Sequence, residues 1–122
     1  MTERVRFIRH RSAEILWIDW TDATAEEILE SIAEAKRLIS GRPPKSVRTL
    51  TTVSGAHVER PVTDALKQYV AHNKPYVLAG AVVGLSDLKT VVFNFVNRAT
   101  GRSLRAMDSL EVAKEWLASV DG

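Results

Sequence analysis

The side chains best suited to chemistry in this chain are hydroxyl, imidazole and carboxylate groups that follow predicted strands. Ser54, His57 and Asp22 are the residue types of a nucleophile, a base and an orienting acid. A hydrolase would require these three side chains within hydrogen-bond reach of each other. No nucleophile-elbow motif surrounds Ser54. We therefore predict no catalytic residues and no enzyme activity.

Two hydroxyl groups are candidate phosphoacceptors. Ser54 precedes Gly55 in the loop after the third predicted strand, and Thr63 lies in the first turn of the helix that begins near Pro61. A phosphate adds nearly two negative charges, which the N-terminus of a helix would stabilise. The alternatives are an ordinary turn residue at Ser54 and an ordinary first-turn residue at Thr63.

The run Gly84-Leu85-Ser86-Asp87 leads from a predicted strand into a predicted helix. Backbone N–H groups at such a junction can hold an anion. Neither GxGxxG nor a P-loop is present, and Asp87 would repel an anion. The competing interpretation is that Ser86 is the N-cap of the helix.

Metal and cofactor chemistry finds little support in the sequence. The chain has no cysteine, which excludes disulfides, a thiol nucleophile and thiolate metal sites. His10, His57 and His72 are far apart and show no metal-binding spacing. We predict no metal and no cofactor.

Size and composition are those of one globular domain, which we assign to residues 1–122. Hydrophobic residues make up 45% and charged residues 26% of the chain, with a net charge of +2. The basic residues are scattered over several elements, so we expect no nucleic-acid partner. No secretory leader is apparent at the N-terminus, and no apolar run reaches the ~18–20 residues of a membrane span. These features predict a cytoplasmic protein.

The elements that position these residues alternate between strand and helix. Residues 76–83 form an unbroken apolar run, which is typical of a strand buried on both faces and covered by helices. Thr24 and Glu27 form a capping-box pattern at the start of the first helix. We predict an α/β fold of order β-β-α-β-α-β-α-β-α, with an antiparallel first hairpin, an edge strand at residues 5–9, and a mixed, mostly parallel sheet of five strands with four helices.

The predicted third helix carries both an apolar stripe and a polar flank. Phe93 lies off the stripe, and Asn94 and Asn97 are also polar-flank positions, so these three are a possible partner or dimer contact. The alternative is that Phe93 packs beneath the fourth helix or a loop. The residues expected to be buried by this helix are Leu88, Val91, Val92, Phe95, Val96 and Ala99.

The loops that leave parallel strands at their C-terminal ends gather at one edge of the sheet, which is the usual ligand edge. Here those loops are rich in hydroxyl and carboxylate groups. The candidate ligand or partner residues on this edge are Asp22, Thr52, Ser54, His57, Ser86 and Asp87.

Two tryptophans suggest a different site. Trp17 and Trp20 alternate to opposite faces of the second predicted strand. We expect one of them in the core, while the other could line a cavity between the sheet and the helices. Such a cavity would bind an apolar small molecule.

Besides its element order, the chain has a distinctive local pattern at residues 46–55, 72–76, 81–85, 97–102 and 113–117. The element order resembles that of the STAS domain, the SpoIIAA-like fold of bacterial anti-sigma-factor antagonists. The local pattern is similar to small bacterial SpoIIAA-like or STAS/SEC14 proteins. Antagonists of this class carry an Asp-Ser-Ser/Thr-Gly phosphoacceptor motif after the third strand, where this chain has Arg60, Pro61, Val62 and Thr63.

The resemblance implies a non-enzymatic regulatory or protein-interaction module, whose partner would be another protein or a second copy of the chain. It supports the fold more strongly than the function. The alternative is a small carrier that binds an apolar or anionic small molecule between the sheet and the helices.

Overall fold

The structure is a computed structural model that describes residues 3–121, so Met1, Thr2 and Gly122 of the predicted domain lie outside the described residues. Five strands and four helices follow each other in the predicted order. The strands are β1 (Val5–His10), β2 (Ala13–Asp19), β3 (Val47–Thr52), β4 (Val77–Val83) and β5 (Arg105–Met107), and the helices are α1 (Ala25–Ser40), α2 (Arg60–Asn73), α3 (Asp87–Thr100) and α4 (Leu110–Ser119).

The strands form one mixed sheet with the spatial order β1-β2-β3-β4-β5. β1 and β2 are an antiparallel hairpin, in which Val5 pairs with Ile18 and His10 with Ala13. β2, β3, β4 and β5 are parallel to their neighbours. The predicted fold class, the hairpin and the position of β1 at the sheet edge are therefore confirmed.

Helices cover both faces of the sheet. α1, α2 and α3 contribute to the larger core, which includes Ile28 of α1, Val62 of α2 and Val96 of α3. α4 covers the other face, where its Leu117 packs against Ile15 of β2. Each fully buried aliphatic side chain contributes about 1.5–3 kcal/mol to this arrangement.

Local hydrogen bonds fix the starts of α1 and α3. At the start of α1, Glu27 N donates to Thr24 Oγ1 over 3.2 Å and Thr24 N donates to Glu27 Oε1 over 2.9 Å, which completes the predicted capping box. At the start of α3, Lys89 N donates to Ser86 Oγ over 3.4 Å. The interpretation of Ser86 as an N-cap is therefore confirmed.

The apolar stripe predicted for α3 is wrong in its orientation. Leu88 is 75% exposed, Val91 66% and Phe95 47%, and among the residues of this helix only Val96 is buried. The helix carries apolar residues on two adjacent faces, so helical spacing alone could not decide which face turns inward. Ala99, which was also expected to be buried by this helix, is exposed.

Substitution of Gly84 tests how tightly the loops after β3 and β4 pack. Gly84 has a φ of +96°, and a Cβ there would lie 2.9 Å from Ser54 N. We expect Gly84→Ala to lower the free energy of unfolding by about 1–3 kcal/mol in urea denaturation, because it adds both backbone strain and a steric overlap.

Gly41→Ala is the matched control for this measurement. Gly41 has a φ of −85°, and its Cβ would meet Leu38 O at an ordinary 3.6 Å. We expect a change within about 0.5 kcal/mol. Equal losses in the two variants would contradict the close packing of the loops at Gly84.

Candidate ligand-binding site

The loops after β2, β3 and β4 meet at one edge of the sheet, as the parallel order predicts. Asp22 N donates to Ser54 O over 2.8 Å, and His57 N donates to Ala23 O over 3.0 Å. Gly84 lies directly against Ser54. Asp22, Ser54, His57 and Asp87 are all exposed on this edge. Their role toward a ligand or a partner stays a prediction.

Thr52 belongs to a hydrogen-bonded group on the α4 side of the sheet. Its hydroxyl accepts from Trp17 Nε1 over 3.1 Å and donates to Asp19 Oδ1 over 2.8 Å. Partial burial alone would raise the pKa of Asp19, but hydrogen bonds from Thr21 and Thr52 together with the charge of Arg4 outweigh it, and the pKa lies below its usual range. The hydroxyl of Thr52 is therefore hydrogen-bonded within the protein to Asp19, a residue that was not among the predicted site residues.

Of the residues considered for a catalytic set, Asp22 and Ser54 are joined through their main chains, while His57 N donates to Ala23 O. Within residues 3–121, no hydrogen bond joins the side chains of Asp22, Ser54 and His57. The hydrogen-bonded set that a hydrolase would require is thus not formed by these groups.

The two candidate phosphoacceptors differ in their surroundings. Ser54 is exposed beside Gly84. The hydroxyl of Thr63 is half-buried in the first turn of α2 and donates to Glu59 O over 3.2 Å. Phosphorylation of either residue stays a prediction.

The polar flank of α3 is only partly exposed. Asn97 forms two hydrogen bonds of 3.1 Å with the backbone of Leu104, one through Nδ2 and one through Oδ1. Phe93 is half-buried and faces the interior, whereas Asn94 is exposed. Asn97 thus has intramolecular hydrogen bonds and Phe93 lines a cavity, and a contact surface that includes them stays a prediction.

The interior that Phe93 faces is a cavity between the sheet and helices α2 and α3. Its volume is about 90 Å³, compared with the ~30 Å³ that one water molecule occupies in the liquid. The lining residues are mostly apolar. They are Trp20, Thr49, Thr51, Val53, Val58, Leu66, Tyr69, Val70, Asn73, Ala81, Val82, Leu85, Lys89, Val92, Phe93, Val96, Arg102 and Leu104.

Trp20 forms part of the cavity wall. It is buried, donates a hydrogen bond from Nε1 to Ser31 Oγ, and lies 6.5 Å from Tyr69 between ring centroids. Trp17 is half-buried on the opposite face of the sheet, under the guanidinium of Arg6 at 4.6 Å. Trp20 therefore fills both of the roles that were predicted for the pair, since it is a core residue and lines the cavity.

Gly80 of β4 shapes one end of the cavity. A Cβ at this position would lie 2.5 Å from Leu104 Cδ2, 2.9 Å from Thr49 Oγ1 and 3.6 Å from Arg102 Nη2. The missing side chain allows Leu104 and Arg102 to approach the sheet closely. The segment between α3 and β5 thereby closes this end of the chamber.

Arg102 brings a positive charge to the cavity. Its Nη1 donates to Val70 O over 3.0 Å, and no carboxylate between residues 3 and 121 lies within 4.0 Å of the guanidinium. Burial lowers its pKa, although an arginine remains charged at neutral pH. The guanidinium has further N–H groups that lack an acceptor in the described part of the chain.

Tyr69 and Asn73 add neutral polar groups to the same chamber. Both are buried residues of α2, one helical turn apart. Burial raises the pKa of Tyr69 to about 12, against the smaller opposing effects of Asn73 and Arg102. The hydroxyl thus stays protonated at neutral pH and can donate a hydrogen bond. Asn73 Oδ1 lies 2.9 Å from His72 Nδ1.

Lys89 and Arg102 are the cationic residues of the cavity wall, and none of its lining residues is acidic. Arg102 is one of the basic residues that are scattered over the sequence, and its place in this cavity was not predicted. The sequence held one indication that Arg102 lies near the sheet. Arg102 stands between Gly101, which ends α3, and β5, which returns the chain to the sheet.

Comparisons with protein-family models, curated proteins and solved structures found no match to this chain. The resemblance to STAS and SpoIIAA-like proteins therefore stays a prediction. Of the helices in residues 3–121, none has the length and apolar character needed to cross a bilayer. No group of three or more His, Asp or Glu side chains in this range is placed to hold a metal ion.

The buried hydroxyl of Tyr69 makes stability depend on alkaline pH. An unfolded tyrosine titrates near pH ~10, whereas the folded pKa is about 12. Between these values the unfolded state has lost a proton that the folded state keeps, so stability falls as the pH rises.

We expect Tyr69→Phe to remove this part of the alkaline loss, which amounts to about 2–3 kcal/mol when complete. The measurement is the free energy of unfolding of both proteins at several pH values between ~9 and ~11.5. In a pH titration followed by tyrosinate absorbance, the variant should also lack the phase that occurs at the highest pH. Parallel pH profiles for the two proteins would show that Tyr69 is not shielded from solvent.

Proposed function

We propose that this protein is a non-enzymatic binding module that holds an apolar small molecule between its sheet and helices α2 and α3. The observation that carries this proposal is the cavity that Trp20, Val82, Val92 and Phe93 help to line. A concave, mostly apolar chamber with a few convergent polar groups is the usual form of a small-molecule site.

The alternative explanation of the cavity is imperfect packing. Protein interiors are packed about as densely as organic crystals and contain few voids larger than one water molecule. A space of about 90 Å³ is larger than such voids, and its mostly apolar lining is a poor partner for water. Tyr69, Asn73 and Arg102 also converge on this space, which an accidental packing defect does not require.

Titration with 1-octanol tests whether the cavity accepts an apolar molecule. We expect a dissociation constant on the order of 0.1–1 mM. The measurement is the change in backbone amide chemical shifts of isotope-labelled protein. The shifts should concentrate on Thr51, Val82, Val96 and their neighbours, which line the cavity.

Two neighbouring valines of α3 provide a matched pair of variants. Val92 lines the cavity, whereas Val91 is exposed on the outer side of the helix. Val92→Phe should fill the chamber and reduce octanol affinity at least tenfold, with a stability change within about 1 kcal/mol. Val91→Phe should bind octanol as the wild type does. Equal binding by both variants, or shifts spread over the surface, would contradict the proposal.

A second candidate function is protein docking, and the outer face of α3 favours it. Leu88, Val91 and Phe95 form an exposed apolar stripe that begins at the edge of the sheet where the loops meet. A second copy laid antiparallel on this stripe would bring Asp87 of one α3 toward Arg98 of the other. Apolar contact and opposite charges would thus both favour a symmetric pair.

Sedimentation over a range of concentrations tests this second candidate. We expect the wild type to form a dimer whose fraction rises with concentration. Val91→Glu should be monomeric with a stability change within about 0.5 kcal/mol, because the side chain is exposed. Glu14→Gln, on β2, would be a control that leaves the dimer intact. A wild type that remains monomeric up to ~1 mM would contradict docking of a second copy. A dimer with a dissociation constant above ~1 mM would be stabilised by less than about 4 kcal/mol.

A further inference from the structure

We propose that the ligand of the cavity is an apolar monocarboxylate whose acid group binds Arg102 while its hydrocarbon tail lies against Trp20 and Phe93. This inference rests on the proposed function, because it assigns a chemical class to the ligand of the same chamber.

Arg102 carries a positive charge that no acidic side chain among residues 3–121 pairs with. The guanidinium is partly removed from water, yet its protein hydrogen bond goes to the neutral carbonyl of Val70. The salt bridges found among residues 3–121 do not include this side chain. A cation that is partly removed from water is stabilised when an anion pairs with it, and the two oxygens of a carboxylate match the guanidinium geometry.

Two neutral side chains near Arg102, those of Tyr69 and Asn73, can donate hydrogen bonds to an acid group. Tyr69 lines the same cavity as Arg102, whose guanidinium donates to the carbonyl of the next residue, Val70. Asn73 follows one turn later on the same helix. A carboxylate accepts several hydrogen bonds through its two oxygens. This end of the cavity therefore offers donors, with no acidic residue to repel the ligand.

The remaining walls determine what the acid group is attached to. Val53, Val82, Val92 and Phe93 cannot hydrogen-bond through their side chains. A sugar or nucleotide would leave its polar groups unpaired there, which is unfavourable. An amine would meet Arg102 and Lys89, which repel it. A phosphate ester would place more charge and a third oxygen among mostly apolar walls, which is more costly than one carboxylate.

Calorimetric titration with octanoate, 1-octanol, octylamine and octyl phosphate distinguishes these classes, since the compounds share one tail. We expect octanoate to bind at least tenfold more tightly than octanol, octyl phosphate to bind more weakly than octanoate, and octylamine not to bind. Octanol and octanoate with equal affinities would overturn the acid-group assignment but leave the proposed function intact. Failure of every compound to bind would instead contradict the proposed function itself.

Variants test whether Arg102 is the group that binds the carboxylate. Arg102→Gln should lower octanoate affinity at least tenfold and leave octanol affinity unchanged. Arg105→Gln makes the same change on the other face of the sheet, where the guanidinium lies 5.1 Å from the Trp116 ring, and should have no effect on either compound. An unchanged preference for octanoate in Arg102→Gln would overturn the inference.

Arg102→Gln loses the hydrogen bond to Val70 O and could unfold for that reason. A second variant therefore tests the acid-group assignment independently. Tyr69→Phe removes one donor and retains the buried ring. We expect octanoate affinity to fall about three- to tenfold, as for the loss of one hydrogen bond to a charged group, with octanol unchanged. Equal loss for both compounds would mean that Tyr69 has only a packing role.

Discussion

The distance between α3 and the sheet is the constraint on which the rest of the site depends. The backbone of α3 runs closest to α2 and lies away from the strands, and Val96 is its buried residue. The return segment after α3 is fixed by the two hydrogen bonds between Asn97 and Leu104. With both the helix and its exit held in place, the side chains of α3 and of the sheet face beneath it leave a space between them. The cavity is thus a product of the topology.

This position gives α3 two apolar faces with different surroundings. Val92 and Phe93 face the cavity, while Leu88 and Val91 face solvent. A helix with few anchors to the sheet would respond to what lies beneath it more readily than one packed into the core. The ligand and the docking candidates therefore share one element, and a ligand under α3 would alter the surface that a second copy contacts. That arrangement would suit a regulatory module.

Much of the fold could be predicted from the sequence because local features determine it. The apolar run at residues 76–83 is typical of a strand between two layers of helices, and the Thr24 capping box sets the start of α1 from residues three apart. The proximity of Ser54 and Gly84 follows from the parallel pairing of β3 with β4. The orientation of α3 could not be predicted, since it depends on how α2 and the sheet share the space around it. Arg102 was missed for the same reason, because its site is assembled from β4, α2 and the segment after α3.

The central claim is that the chamber beneath α3 is a binding site for a molecule from the cell. It is tested most directly by isolating the protein gently from the cells that make it and determining its mass under native conditions, followed by extraction and identification of any bound compound. We expect one acidic, lipid-like molecule per chain, which is absent when Val92 is replaced by Phe and retained when Val91 is. A wild-type protein that carries no ligand under these conditions, or a ligand that persists in Val92→Phe, would contradict the claim.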